Sequence, residues 1–192
     1  MENGLLKKRI GEHEDAVKLL LADEKAQKLV EKAAARMLES YRKGGKSIFM
    51  GNGGSAADAQ HMAAEFLGKY MLERKPIPSI ALTANSSAVT AIGNDYGYDK
   101  VFVRQLEAWG NTQDVVVGIS TSGNSPNVVA AMEYAKSKGL FTVALVGTKK
   151  CRLDEIADIC IKAPGNSTPR IQEMHTLILH TICEIVETGL FG

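Results

Sequence analysis

From Lys46 onward, five short apolar runs alternate with helical patterns: Ser47-Ile48-Phe49-Met50, Ser79-Ile80-Ala81-Leu82, Val115-Val116-Val117-Gly118-Ile119, Thr142-Val143-Ala144-Leu145-Val146 and Ile159-Cys160-Ile161. The runs are continuous rather than alternating, so each strand is apolar on both faces and needs helices above and below it. The expected fold class is therefore α/β, a doubly wound five-stranded parallel sheet. With 192 residues, 45% of them hydrophobic, the chain suits one domain spanning 1–192. No low-complexity linker or internal repeat divides it.

Two helical patterns precede the first run. Ala26, Leu29, Val30, Ala33, Ala34, Met37, Leu38 and Tyr41 recur at three- and four-residue steps and form one apolar stripe. A weaker stripe runs through Ile10, Val17, Leu20 and Leu21. Residues 1–44 are expected to form a helical hairpin, which either covers one sheet face or packs against a copy of itself in a bundle.

Composition excludes several function classes. Twenty-three Lys+Arg stand against 22 Asp+Glu, a formal net charge of +1, which favours neither nucleic acid nor an anionic membrane as partner. The cluster Lys7-Lys8-Arg9 reads as a solvated helix face. The first residues lack the apolar core of a secretory signal, and no window approaches the ~20 apolar residues that span a bilayer. A cytoplasmic location is expected. Cys151, Cys160 and Cys183 are odd in number and lack C-x-x-C spacing, so they read as reduced and mostly buried.

In doubly wound sheets, ligands bind beyond the carboxyl ends of the strands, near the point where strand order reverses. Polar clusters follow the first three runs: Gly51-Asn52-Gly53-Gly54-Ser55, Thr83 to Ser87, and Ser120-Thr121-Ser122-Gly123-Asn124-Ser125. The last precedes Pro126 and the helix expected over 127–138. Its hydroxyls and the helix N-terminus suit a phosphomonoester, although ordinary capping by Ser125 also accounts for the pattern. Gly51 to Ala56 fits G-x-G-x-x-A, but the second strand runs into Thr83-Ala84-Asn85, with no acid to hold a ribose. The G-x-x-x-x-G-K-[ST] spacing is also missing, so neither NAD nor ATP is indicated. The glycines then serve close backbone approach to a smaller ligand.

Directly after this turn, Ala57-Asp58-Ala59-Gln60-His61-Met62-Ala63-Ala64-Glu65 places His61 and Glu65 on one helix face, with Asp58 nearby. Three of the four histidines lie in this stretch and in Arg170 to His180. Gln172 and His180 are eight apart, about 80° in projection at 3.6 residues per turn, so one broad face can show both. Imidazole and carboxylate suit zinc, and a glutamine carbonyl is an allowed oxygen donor. Such a set beside a phosphate cradle supports proton shuttling next to a carbonyl of a sugar phosphate.

Several of these motifs occur together in one known family. Gly51-Asn52-Gly53-Gly54-Ser55, Ala59-Gln60-His61, Gly93-Asn94-Asp95-Tyr96-Gly97, Gly118 to Ser125 and Arg170-Ile171-Gln172-Glu173 resemble the phosphoheptose (sedoheptulose-7-phosphate) isomerases of the flavodoxin-like sugar isomerase (SIS) fold, over essentially the whole chain. The resemblance implies conversion of sedoheptulose 7-phosphate to D-glycero-D-manno-heptose 7-phosphate through an enediol, the first step towards nucleotide-activated heptose for surface polysaccharide such as lipopolysaccharide. It implies zinc on His61, Glu65, Gln172 and His180, with Glu65 and His180 as the acid/base pair. Implied substrate contacts are Asn52, Gly53, Gly54, Ser55, Asn94, Asp95, Ser120, Thr121, Ser122, Ser125 and Gln172. It also implies a homotetramer with active sites between subunits.

The resemblance carries two tensions. Four protein ligands would close a tetrahedral zinc, whereas catalysis needs an open position. Lys69 stands where the family often has arginine; it keeps the charge and loses the bidentate fork. Two alternatives are an isomerase of another sugar phosphate and a non-catalytic SIS scaffold resembling the bacterial regulator that binds the replication initiator. A scaffold has no need of His61, Glu65, Gln172 and His180 together.

Overall fold

The structure, a computed structural model, describes residues 4–192. The amino-terminal pair consists of α1 (Leu5–Ala22) and α2 (Glu24–Arg42), separated by Asp23 alone. Asp23 serves both helices. Its N–H donates to the Leu20 carbonyl, and its carboxylate accepts the Ala26 N–H at 2.9 Å, a cap worth about 1 kcal/mol. Gln27 donates its amide to the Leu21 carbonyl at 2.8 Å, satisfying an acceptor that the end of α1 leaves open. Residues 1–3 of the expected 1–44 hairpin lie outside the described residues.

The α2 stripe is buried as expected at Ala26, Val30, Ala33, Ala34 and Met37, with Leu29, Leu38 and Tyr41 half-buried. The weaker stripe is only partly realised. Leu20 is buried and Val17 packs against the core, whereas Ile10 and Leu21 are 57% and 74% exposed. Three- and four-residue spacing marks candidate faces of a short pattern; which one turns inward is decided by packing against the rest of the domain.

The remaining elements are β1 (Ser47–Gly51), α3 (Gly54–Leu67), β2 (Ser79–Ala81), α4 (Ser86–Tyr96), a 3₁₀ turn (Tyr98–Lys100), α5 (Val103–Trp109), β3 (Val115–Ser120), α6 (Pro126–Ser137), β4 (Phe141–Gly147), α7 (Arg152–Ile156), β5 (Ile159–Ala163) and α8 (Thr168–Phe191). All five apolar runs are strands. Helix α6 begins one residue before the expected span, because Pro126 lacks only an N–H that the first helical position does not use. The sheet is all parallel, in the order β2-β1-β3-β4-β5.

Both faces are covered, which explains why the runs are continuous. On one face Phe49, Val115, Val117, Ile119 and Leu145 join α1, α2, α3 and α8 through residues such as Met37, Met62, Phe66 and Ile178. On the other, Ile48, Met50, Val116, Ala144 and Val146 join α5 and α6 through Leu106, Val128 and Met132. Burying each large side chain contributes roughly 1.5–3 kcal/mol. The order reverses between β1 and β3, so the loops leaving these adjacent strands diverge and open a crevice at their carboxyl ends. Among the described residues, no helix is long and apolar enough to cross a membrane. All three cysteines are free, with Cys151 and Cys183 buried and Cys160 half-buried.

His175 on α8 is fully buried, and neither ring nitrogen has a hydrogen-bond partner. Burial pushes its pKa down to about 4. The unfolded chain therefore binds a proton below pH ~6.5 that the native state takes up only near pH 4, so stability falls as pH drops through that interval. The loss should reach about 3 kcal/mol at pH 4. Urea unfolding at pH 7 and pH 4.5 should show a smaller acid-induced loss in His175→Leu than in wild type; equal losses would contradict this assignment.

Candidate active site

The crevice between β1 and β3 is a cavity of about 330 Å³, lined by Asn52, Gly53, Gly54, Ser55, Ile119, Ser120, Thr121, Ser125, Thr168 and Gln172. On the β1 side the chain turns sharply at Gly53, whose φ of 55° lies in the left-handed region that favours glycine. On the β3 side Gly123, at φ 65°, makes the corresponding turn, and a Cβ there would run into the Cys151 side chain. Ser120 is the hub of this loop. Its hydroxyl lies 2.9 Å from Ser125 Oγ and 3.4 Å from Ser122 Oγ, and it accepts the Gly123 N–H at 3.1 Å.

Ser125 does not cap α6 with its side chain. The hydroxyl that ordinary capping would use is turned into the loop towards Ser120. At the start of α6 Pro126 has no N–H and Val128 donates its N–H to Asn127 Oδ1 at 3.0 Å, which leaves the Asn127 N–H to face an anion. Thr121 and Ser122 also border a neighbouring cavity of about 380 Å³ beside Lys149 and Lys150. Clustered hydroxyls, a helix N-terminus and a glycine turn make this end of the site suited to a phosphate group.

The second half of the site lies where α3 and α8 run side by side. Gln172 packs on Gly54 at one end, and Thr176 donates its hydroxyl to Asp58 Oδ1 at 3.0 Å further along. His61 and His180 then meet, with ring centroids 4.9 Å apart. His61 Nε2 is 3.0 Å from Glu65 Oε1 and 3.5 Å from His180 Nε2. One donor atom from each of His61, Glu65 and His180 falls within 4.8 Å of the others. Two imidazoles and one carboxylate gathered this closely form a donor set of a chemistry that fits zinc, and three protein ligands are the number a catalytic zinc uses. Burial holds the Asp58 carboxyl above its ordinary pKa, opposed by the Thr176 hydrogen bond.

Other expected site residues stand elsewhere. Gln172 lies two helical turns before His180, about 12 Å along the axis, and its amide packs on Gly54 in the hydroxyl-lined cavity. Its contact in the structure is Gly54, towards the start of the α3–α8 pair. Asn94 and Asp95 are exposed near the end of α4; Asn94 Nδ2 donates to Asp95 Oδ1 at 2.9 Å, and neither lines the cavity. Lys69 is an exposed residue that bonds Glu73 at 2.6 Å.

Two residues that sequence reasoning missed secure the cavity. The amides of Asn52 and Asn127 exchange two hydrogen bonds of 2.8 and 2.9 Å, and Asn127 is almost wholly buried. Tyr98 donates its hydroxyl to Asn52 Oδ1 at 3.2 Å. A polar residue one position inside α6 was a weak signal for Asn127. Nothing in the spacing linked Tyr98 to residue 52.

A protein-family model for the SIS domain matches residues 13–147, so the chain is a sugar isomerase domain by both fold and sequence. A phosphoheptose isomerase from Aneurinibacillus thermoaerophilus is 46% identical over 189 residues, covering 98% of this chain and 96% of the relative. One from Geobacter sp. (strain M21) is 53% identical over 162 residues, 84% of each chain. The solved structure of a phosphoheptose isomerase from Francisella tularensis superimposes with a TM-score of 0.90 at 33% identity, covering 95% of this chain and 96% of that one. The chain belongs to the phosphoheptose isomerase family.

Gly54 allows Gln172 its place, since an added Cβ would overlap the Gln172 amide. The obstacle is the far end of a flexible side chain, so Gly54→Ala should cost no more than about 1 kcal/mol, a Tm shift of ~2–4 °C. By displacing that amide it should weaken binding of a phosphorylated sugar at least about tenfold, a loss of ~1.4 kcal/mol. Unchanged affinity, measured by titration calorimetry, would contradict the role given to this contact.

Proposed function

We propose that this chain is an aldose–ketose isomerase that converts sedoheptulose 7-phosphate to D-glycero-D-manno-heptose 7-phosphate, with Glu65 and His180 moving the protons. The observation that carries this reading is the convergence of His61, Glu65 and His180 along the same helix pair that begins at the hydroxyl cradle. Seven residues of α3 separate Gly54 from His61, about 10 Å of helix, the order of reach of an extended sugar phosphate. Membership of the phosphoheptose isomerase family supports the same substrate class.

In this reading Ser120, Thr121, Ser122 and Ser125 hold the phosphate with the Asn127 N–H at the start of α6, while Asn52, Gly53, Gly54, Ser55 and Gln172 line the path of the sugar. Asn94 and Asp95 are exposed and are retained as contacts for a sugar or a neighbouring subunit. The Glu65 carboxylate takes a proton from C1 of the ketose. The electron pair of that C–H bond forms the C1–C2 double bond, and the C2 oxygen takes a proton from His180 to complete the enediol. Return of a proton to C2 and loss of the O1 proton give the aldehyde at C1, so the exchange balances without an external oxidant.

Zinc would be held by His61, with Glu65 and His180 as ligands only while they are not moving a proton, and when bound it would supply electrostatic stabilisation of the oxygen on which charge develops. Three ligands leave the open position that four would close. Gln172 is assigned here to the sugar path, with the option of completing a metal site in an assembled oligomer. The proposed cytoplasmic location fits the three unpaired cysteines. We infer that the oligomer is a homotetramer, supported by an apolar groove of about 370 Å³ between α1, α2 and α8, bordered by the exposed Leu21 and Leu177.

Glu65→Gln and His180→Ala should each lower kcat on sedoheptulose 7-phosphate by at least ~10²-fold while leaving the far-ultraviolet circular dichroism unchanged. Near-normal turnover in either would sink the assignment. Ser120→Ala should instead act mainly on KM. Turnover of a shorter ketose phosphate in preference to the seven-carbon one would transfer the reading to another sugar.

A further inference from the structure

A buried ion pair lies at the far end of the α3–α8 contact. Arg74, in the segment between α3 and β2, and Glu187, on α8, have side chains that are each 1% exposed. Arg74 Nε donates to Glu187 Oε1 at 2.8 Å. Its terminal nitrogens donate to the carbonyls of Glu65 and Phe66 at 2.8 Å and of Gly68 at 2.9 Å. These belong to the last turn of α3 and its cap, where no intrahelical donor remains. The Glu187 carboxylate also accepts the N–H groups of Tyr70, Met71 and Leu72 at 2.9, 2.7 and 2.9 Å. Burial pushes the Glu187 carboxyl up, but these donors outweigh it and hold its pKa below the ordinary carboxylate value.

A buried ion pair is weak support for stability, because apolar residues of similar volume do as well or better. What this pair does hold is geometry. One partner grips the Glu65 carbonyl directly. The other stands seven residues after His180 on the same helix and fixes the backbone of Tyr70, whose ring lies 5.5 Å from the His180 ring at an interplanar angle of 34°. The end of α3, the following loop and α8 are therefore tied at one point.

We propose that Arg74 and Glu187 are positioning residues of the isomerase site, holding Glu65 and His180 at their working separation through the last turn of α3 and the ring of Tyr70. The proposal rests on the functional reading above, since the separation matters only if these two side chains act together. With side chains each 1% exposed, Arg74 and Glu187 act through Glu65 and Tyr70.

The test compares Arg74→Lys, Glu187→Gln and Tyr70→Leu with Leu106→Ala, a core variant on the opposite sheet face, at a temperature where each is fully folded. The readouts are kcat and KM on sedoheptulose 7-phosphate and the Kd for cobalt(II) alone. Arg74→Lys and Glu187→Gln should lower kcat and weaken cobalt(II) binding each at least about tenfold, the range seen when residues supporting metal ligands are lost. KM should stay within about threefold of wild type. Tyr70→Leu, which spares the ion pair, should reduce the same two quantities by less, and Leu106→Ala should change neither despite its lower Tm. Ion-pair variants with wild-type kcat and cobalt(II) affinity, or a Leu106→Ala variant that loses as much, overturn the proposal. If Arg74→Lys does not fold, Glu187→Gln and Tyr70→Leu decide it on the same readouts. Wild-type protein that does not isomerise the sugar overturns the functional reading alone, and the cobalt(II) affinities then judge the ion pair.

Discussion

The lengthwise contact between α3 and α8 is the constraint on which the rest of the site depends. Both helices follow strands of a parallel sheet and start at its carboxyl edge, so they run in the same direction on one face. That shared direction sets a ladder of contacts: Gln172 on Gly54, Thr176 on Asp58, His180 on His61. A slip of one residue would rotate a side chain by about 100° around the helix axis, and the imidazoles would no longer face one another. The apolar side chains beneath, among them Met62, Phe66, Ile178 and Leu179, keep the ladder pressed to the sheet.

This ladder has a polar start, a chemical middle and a charged end. At the start, the glycine turn after β1 and the hydroxyl loop after β3 share the crevice made by the reversal of strand order. In the middle, His61, Glu65 and His180 converge two turns along α3. At the end, Arg74 and Glu187 close the contact with a fully hydrogen-bonded pair. A ligand that spans start and middle must be anionic at one end and reactive at the other, which is the form of a sugar phosphate. Asn127 adds stiffness at the start by pairing with Asn52 through both amide groups.

Much of this was legible in the sequence. The continuous apolar runs gave away a parallel sheet because burial on both faces leaves no polar side to a strand. His61 and Glu65 could be paired because their spacing acts within one helix. Contacts between elements were less legible, for a physical reason: periodicity reports which face of a helix is apolar, not which residue of another helix it meets. Hence Ile10 and Leu21 were read with the core and are exposed. Gln172 and His180 were placed on one broad face of α8, and spacing alone did not show that Gln172 would meet Gly54 and His180 would meet His61. Arg74 and Glu187 carried no sequence signal, since 113 positions separate them and each type is usually exposed.

The central claim is that Glu65 and His180 isomerise the sugar by moving protons through an enediol, and the fate of the hydrogen at C1 tests it most directly. Sedoheptulose 7-phosphate converted by the purified protein in deuterated water should yield aldose carrying solvent deuterium at C2, because a proton held on a partly exposed carboxylate exchanges with solvent before it returns. Aldose that keeps the original C1 hydrogen at C2, with no deuterium incorporated, would show a direct hydride shift and contradict the account.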